Sequence, residues 1–208
     1  MPLTPRADAA IFDFDGVIID SLPAVETAVN GALLAHGFAA RSAAELERFL
    51  GPPVLSAFAK LTGAAEDSET VAACVASYHD LYARVYLDQT RLVDGIAEVL
   101  RGLTLPLALA TSKEREFVAP LLEHFGLQFA VVSAPALAEP KAQTVARAQQ
   151  ALGARDTVVI GDRHYDIEAA RACGLRVIGV TWGFGDRAEL RGADVIVERP
   201  AELHELLA

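Results

Sequence analysis

The chain is expected to be an α/β protein, a Rossmann-like parallel sheet core with helices on both faces, carrying an inserted all-helical cap domain. Three observations predict this. Short apolar runs alternate with helix-length amphipathic segments, the pattern of βαβ units joined by right-handed crossovers. Several of those runs lack the in–out alternation of a half-exposed strand, as burial on both faces requires. Residues 17–87 break the rhythm with helical patterns alone. A length of 208 residues accommodates one large domain or a core with a smaller insert.

In chain order, the apolar runs that end in turn signals are AAIFDF (9–14), LPLALAT (105–111), FAVVSA (129–134), TVVIGD (157–162), LRVIGV (175–180) and ADVIVE (193–198). Helical patterns lie between them at 94–102, 113–125, 143–152 and 165–173. Within the insert, one helix starts at the cap candidate Ser21 with Pro23 in its first turn and ends at Gly37. A second starts at Ser42 and stops at Gly51-Pro52-Pro53, and two more follow around 54–61 and 68–87. The expected division is a core of 1–16 and 88–208 and a cap of 17–87, with crossings near 17–20 and 86–92.

Hydrophobic residues make up 52% of the chain and charged residues 22%, which points to an ordered globular protein. The net charge of −10 is shared by both parts, since 17–87 holds eight acids and four bases. That balance argues against a nucleic-acid polymer as partner. An anion must then be handled by a few local donors or by a metal. No apolar run reaches the roughly 20 residues of a membrane span. Cys74 and Cys173 form no C-x-x-C pair and have no histidine at metal-ligand spacing, so both are read as reduced thiols. MPLTPRADAA is too short and too polar before the first strand for a signal peptide. The expectation is a cytoplasmic monomer or homodimer without a membrane partner.

The polar residues that matter gather at one edge. In open α/β sheets, ligands bind outside the carboxyl ends of the strands. Asp13 and Asp15 end the first strand, Thr111 and Ser112 the second, Asp162 and Asp166 a later one, and Lys141 stands just before a helix. Carboxylates as close as Asp13 and Asp15 repel unless a cation or a shared proton intervenes. A few carboxylates with room for water and phosphate oxygens suit Mg²⁺. Thr111 and Lys141 offer a hydroxyl and an ammonium for the equatorial oxygens of a phosphoryl group. One aspartate can attack phosphorus while the other exchanges a proton with the leaving group. The chemistry indicated is metal-assisted phosphoryl transfer.

Together DFDGVIIDS, ATSK, Lys141 and IGDRHYDI resemble the four motifs of the haloacid dehalogenase superfamily, over nearly the whole chain. Within it the sequence looks most like the phosphoglycolate phosphatase-like group, whose helical cap follows the first motif. FLGPPV, LEHFGL and GLRVIGVTWGFG are similar to members described as phosphoglycolate phosphatases or 5′-nucleotidases. The resemblance implies that Asp13 forms an aspartyl-phosphate and that Asp15 protonates the leaving alcohol and then activates water. It implies Mg²⁺ binding by Asp13, Asp162 and the backbone carbonyl of Asp15, with Asp166 in support. Thr111, Ser112 and Lys141 would hold the phosphate. The third motif departs from the family in placing Pro140 before Lys141 rather than after it. Dehalogenases lack the second aspartate, so Asp15 favours phosphate esters.

The expected activity is a Mg²⁺-dependent phosphatase acting on a small phosphorylated metabolite of the phosphoglycolate kind. A 5′-nucleotidase, a sugar-phosphate phosphatase, a phosphomutase and a non-catalytic binding protein are the alternatives. Substrate choice is expected in the cap at Arg48, Gly51 and Pro52, where Arg48 would meet a second anionic group. GFGDRA at 183–188 reads as a glycine-rich loop near the site rim rather than a dinucleotide site. His164 reads as a solvent-facing loop imidazole.

Overall fold

The computed structural model describes residues 7–51, 53–135 and 139–208 of the chain. Strand β1 (Ala9–Phe12) is followed by β2 (Ile19–Asp20) and β3 (Arg91–Leu92), and then by β4 (Leu107–Ala110) and β5 (Val131–Ser133). The last three are β6 (Thr157–Gly161), β7 (Arg176–Val180) and β8 (Val195–Val197). β2 and β3 make a two-stranded sheet, while the others form a six-stranded sheet in the order β5-β4-β1-β6-β7-β8. Every pairing in the larger sheet is parallel. Ile11 of β1 stands level with Ala108 on one side and Val159 on the other.

Each expected sheet strand is present, shorter by one or two residues at one or both ends. The trimming is informative, because Asp13, Thr111 and Asp162 fall just past their strands. Their neighbours still anchor two of them: Asp13 N–H donates to the Ile160 carbonyl at 2.9 Å and Thr111 N–H to the Ser133 carbonyl at 3.1 Å. The polar side chains therefore leave the ladder from a backbone that the sheet still fixes.

The helices are α1 (Leu22–Ala35), α2 (Ala43–Leu46), α3 (Val54–Thr62), α4 (Glu69–Gln89), α5 (Ile96–Gly102), α6 (Arg115–His124), α7 (Lys141–Leu152), α8 (His164–Ala172) and α9 (Pro200–Leu207). Ile11, Ala108, Ala110, Val159 and Val177 share one core with Val145 and Ala148 of α7 and with Ile167, Ala169 and Ala170 of α8. The intervening strand residues Phe12, Leu109, Val158, Ile160 and Ile178 point to the opposite face and are just as buried. Both faces of the sheet are thus covered, which explains the near-continuous apolar runs.

The chain divides into two compact units, one running to Asp20 and resuming at Leu92, the other Ser21–Arg91. Both boundaries lie four residues later than the expected 17–87 insert. Val17, Ile18 and Ile19 are fully buried, and the Ile18 carbonyl accepts from Val93 N–H at 2.9 Å, which keeps this stretch with the sheet unit. The second unit is built from α1, α2, α3 and α4, with α1 and α3 packed on the long α4. The helix expected to run from Ser42 to the Gly-Pro-Pro turn is a single α turn, α2, followed by a 3-10 turn at Glu47–Phe49. Glu45 explains its start: its carboxylate accepts from both Ser42 N–H and Ser42 Oγ. Ser21 precedes α1 as expected, but its side chain makes no cap hydrogen bond. Among the described residues, no helix is long and apolar enough to cross a membrane.

Candidate active site

The site forms at the carboxyl ends of β1, β4 and β6. β1 and β6 are the adjacent pair at which the strand order reverses direction, the position where doubly wound sheets open a crevice. After β1 the chain folds back at once: Ile18 and Ile19 N–H both donate to the Phe14 carbonyl, and Gly16 N–H donates to the Ile19 carbonyl. Gly16 has φ 82°, and a Cβ there would lie 2.3 Å from Asp162 Oδ2. No other residue fits both the left-handed backbone and the close approach.

Asp13, Asp162 and Asp166 are buried together, with a carboxylate oxygen of each within 4.8 Å of the others. Lys141 Nζ lies 2.5 Å from Asp13 Oδ1 and 3.0 Å from Asp166 Oδ1. Lys141 opens α7, two residues earlier than the expected start at Gln143, so it belongs to the helix rather than preceding it. Asp13 Oδ1 also accepts from Phe14 N–H at 2.7 Å. Asp166 Oδ2 accepts from the backbone N–H of Asp162 and of Arg163, both at 3.1 Å, which ties the first turn of α8 to the end of β6. Thr111 is buried, and its Oγ1 accepts from Lys113 N–H at 3.0 Å, while Ser112 is half-buried on the same turn.

Burial, reinforced by Asp166, pushes the Asp162 carboxyl up to about 7. Asp13 is also raised well above the carboxylate range by burial, although the Lys141 ammonium pulls the other way. Burial alone would lower Lys141, but Asp13 and Asp166 outweigh it and raise it. The cluster carries more negative charge than one ammonium can balance. Asp13, Asp162 and Asp166 face Lys141, leaving a formal excess of two negative charges.

These residues fit a divalent cation. Asp162 Oδ1 is buried without a hydrogen-bond partner, an arrangement that is costly unless a positive group meets it. The donors are all oxygens, the set that hard cations such as Mg²⁺ take. The excess charge equals that of one such ion. The Asp15 side chain is not in this group; it pairs with Lys113, whose Nζ stands 3.1 Å from Asp15 Oδ1.

Three features go further than the sequence reading. Lys113 stood inside the ATSK motif without a role. Phe184 donates its backbone N–H to Asp162 Oδ2 at 2.7 Å, so the GFGDRA loop reaches the carboxylate itself, and Trp182 Nε1 donates to the Val17 carbonyl at 3.1 Å. His164 is the first residue of α8 rather than a loop imidazole, and its Nδ1 lies 2.7 Å from Glu189 Oε2. Arg163 Nε donates to that same oxygen at 2.9 Å. The signal for the loop was the pair Gly183 and Gly185, which its closeness to Asp162 demands.

Of the residues expected to choose substrate, Arg48 is exposed on the 3-10 turn and Gly51 is exposed with φ 105°. Pro52 lies outside the described residues. Arg48 lines a depression of about 220 Å³ in the helical unit together with Arg41, Glu45, Lys60 and Leu61. Arg41 is anchored there, its Nη2 donating to the Leu61 carbonyl at 3.0 Å and its backbone N–H to Asn30 Oδ1 at 2.7 Å.

The family model of haloacid dehalogenase-like hydrolases matches residues 10–180. The chain is 28% identical to a phosphoglycolate phosphatase of Chromobacterium violaceum, over 96% of each protein. It is 30% identical to a 5′-nucleotidase of Pseudomonas aeruginosa, over 87% of this chain and 86% of that one. The crystal structure of a predicted phosphatase from Clostridium acetobutylicum superposes with a TM-score of 0.87 at 30% identity, covering 96% of this chain and 97% of that one. The chain belongs to the haloacid dehalogenase-like hydrolases. Within that family it is a phosphatase.

Proposed function

We propose that the protein is a Mg²⁺-dependent phosphatase that hydrolyses a small phosphate monoester of the phosphoglycolate kind through an aspartyl-phosphate on Asp13. One observation carries the reading: Asp13 is buried against Lys141 and the Asp162–Asp166 pair, with Asp15 two residues on and Thr111 at the neighbouring strand end. Asp13, Asp162 and the Asp15 carbonyl would hold the ion, with Asp166 in support. When bound, Mg²⁺ supplies the positive charge that lets an anionic nucleophile approach an anionic phosphoryl group.

Asp13 Oδ1 is already held by Lys141 and Phe14 N–H, so Oδ2 is the attacking oxygen. It bonds to phosphorus as the ester P–O bond breaks, and Asp15 gives its proton to the departing alkoxide. Asp15 then takes a proton from water, whose oxygen attacks phosphorus and releases Asp13 and inorganic phosphate. Lys141 and the Thr111 hydroxyl, supported by Ser112, hold the phosphoryl oxygens. The helical unit is inserted in the chain between β2 and β3.

A 5′-nucleotidase is the second reading, favoured by the Pseudomonas aeruginosa relative. A phosphate-release screen over phosphoglycolate, nucleoside monophosphates and sugar phosphates, with and without Mg²⁺, separates the two. Asp13→Asn is the blank. Equal rates for wild type and that variant would sink the mechanism.

A further inference from the structure

We propose that Lys113 is a positioning residue for Asp15, one that aims the carboxyl at the leaving-group oxygen. The inference rests on the phosphatase reading above and adds a residue to it. The two aspartates of the first motif each face their own lysine: Lys141 Nζ lies 2.5 Å from Asp13 Oδ1, and Lys113 Nζ lies 3.1 Å from Asp15 Oδ1. The Lys113 side chain is 8% exposed and that of Asp15 is 19% exposed. An ion pair this withdrawn from water contributes little net stability, because desolvation offsets the attraction. Ordering a long, flexible lysine side chain adds a further entropic cost. What such a pair does supply is a single orientation.

The backbone beneath Lys113 is built to hold that orientation. Thr111 N–H is bound to the Ser133 carbonyl at the end of β5, and Thr111 Oγ1 accepts from Lys113 N–H at 3.0 Å. The turn that carries the phosphate-binding hydroxyl therefore also carries the ammonium that meets Asp15. Asp15 is anchored from the other side by the tight fold-back of β1, where it bridges to Ile19. Attack by Asp13 and proton delivery by Asp15 require two carboxylates in different, fixed directions. Two lysines on two different elements, α7 and the turn after β4, keep them apart.

The test uses the leaving group. An alkyl phosphate needs a proton on its departing oxygen, whereas 2,4-dinitrophenyl phosphate expels a stable phenolate and needs none. Lys113→Met and Lys113→Gln in the full-length protein are expected to slow the first turnover of alkyl esters by roughly 10²-fold, the lower end of general acid catalysis. The same variants should leave the dinitrophenolate burst rate, and the ester concentration that half-saturates it, within about threefold of wild type. Lys113→Arg, which keeps a cation in reach, should restore most of the alkyl-ester rate. An equal loss for both leaving groups overturns the proposal, as does a raised KM with unchanged kcat, which would make Lys113 a substrate-binding cation instead. A wild-type enzyme that released phosphate from neither ester would overturn the phosphatase reading as well, so the two failures are distinct.

Discussion

Phe184 donates its backbone N–H to Asp162 Oδ2 at 2.7 Å, binding the loop after β7 to the carboxylate at the end of β6. One oxygen of Asp162 is thereby spent on the loop, and the other, Oδ1, is left buried and unmatched. A Cβ on Gly183 would sit 2.3 Å from Asp162 Oδ2. Gly183→Ala is therefore expected to displace the carboxylate and weaken Mg²⁺ binding by about 10–100-fold, the usual effect of losing a ligand's outer support. Calorimetric titration of Mg²⁺ measures it. Unchanged affinity would show that the loop does not orient Asp162.

The raised Asp162 carboxyl makes the metal-free protein pH-sensitive in a definite direction. The folded group titrates at about 7 and its ordinary value is 3.8, so between these the folded state keeps a proton the unfolded chain has released. Its contribution to stability is thus full below about pH 4 and is lost as the pH rises through 7. Asp13, raised by burial, acts in the same direction. Melting of chelator-treated protein should show a Tm that falls between about pH 5 and pH 7.5. Asp162→Asn should flatten that slope, and Mg²⁺ should raise Tm more at the higher pH because ligands bind deprotonated. An identical slope in the Asn variant would assign the effect to other groups.

How much of this was legible in the sequence depends on which physical signal carried it. The strands were legible because burial on both faces removes polar residues from Ala9–Phe12 or Val158–Ile160 entirely. Asp13, Thr111 and Asp162 were legible because polar groups at strand ends are conspicuous beside such runs. Lys141 could be placed but not its partners, since α7 begins two residues earlier than the helical pattern suggested. The Asp15–Lys113 pair spans 98 positions, and Phe184–Asp162 uses a backbone N–H whose trace in the sequence is only the glycines on either side. The division falls at Ser21 rather than Val17, within the expected crossing regions or one residue past them, because Val17–Ile19, which read equally well as the start of an insert, is buried as core.

Arg48 provides a test of substrate choice. It shares its depression with Arg41 and Lys60, three cations to the single acid Glu45, and Glu45 is already engaged by Ser42. Ser42 N–H and hydroxyl, with Arg41 and Arg48 nearby, hold the Glu45 carboxyl below its ordinary range. Arg48→Ala is expected to raise KM severalfold for a phosphate ester with a second acidic group and to leave a neutral ester unaffected. Steady-state kinetics on phosphoglycolate and on a neutral alkyl phosphate decide it. An equal change in both would return Arg48 to the role of an exposed surface charge.

Asp13 and Asp15 differ by two positions yet are expected to fail in different ways when amidated. Asp13 is buried and held at Oδ1 by Lys141 and Phe14 N–H, which leaves Oδ2 as the proposed attacking oxygen. Asp13→Asn removes the nucleophile, so no phosphoryl group should become attached to the protein and turnover should fall to background. Asp15 is more exposed and paired with Lys113, outside the Asp13–Asp162–Asp166 cluster. Asp15→Asn leaves the nucleophile in place and removes the group that moves protons. With 2,4-dinitrophenyl phosphate, which needs no proton on leaving, that variant should still form the acylphosphate and then stall, because no base activates water. Intact-protein mass spectrometry after acid quench reads this directly. The phosphate adduct should accumulate on Asp15→Asn and be missing on Asp13→Asn, with kcat of the former reduced by roughly 10²–10⁴-fold. An adduct on the Asp13 variant, or its absence from the Asp15 variant with the activated ester, would reverse the assignment of attack and proton transfer.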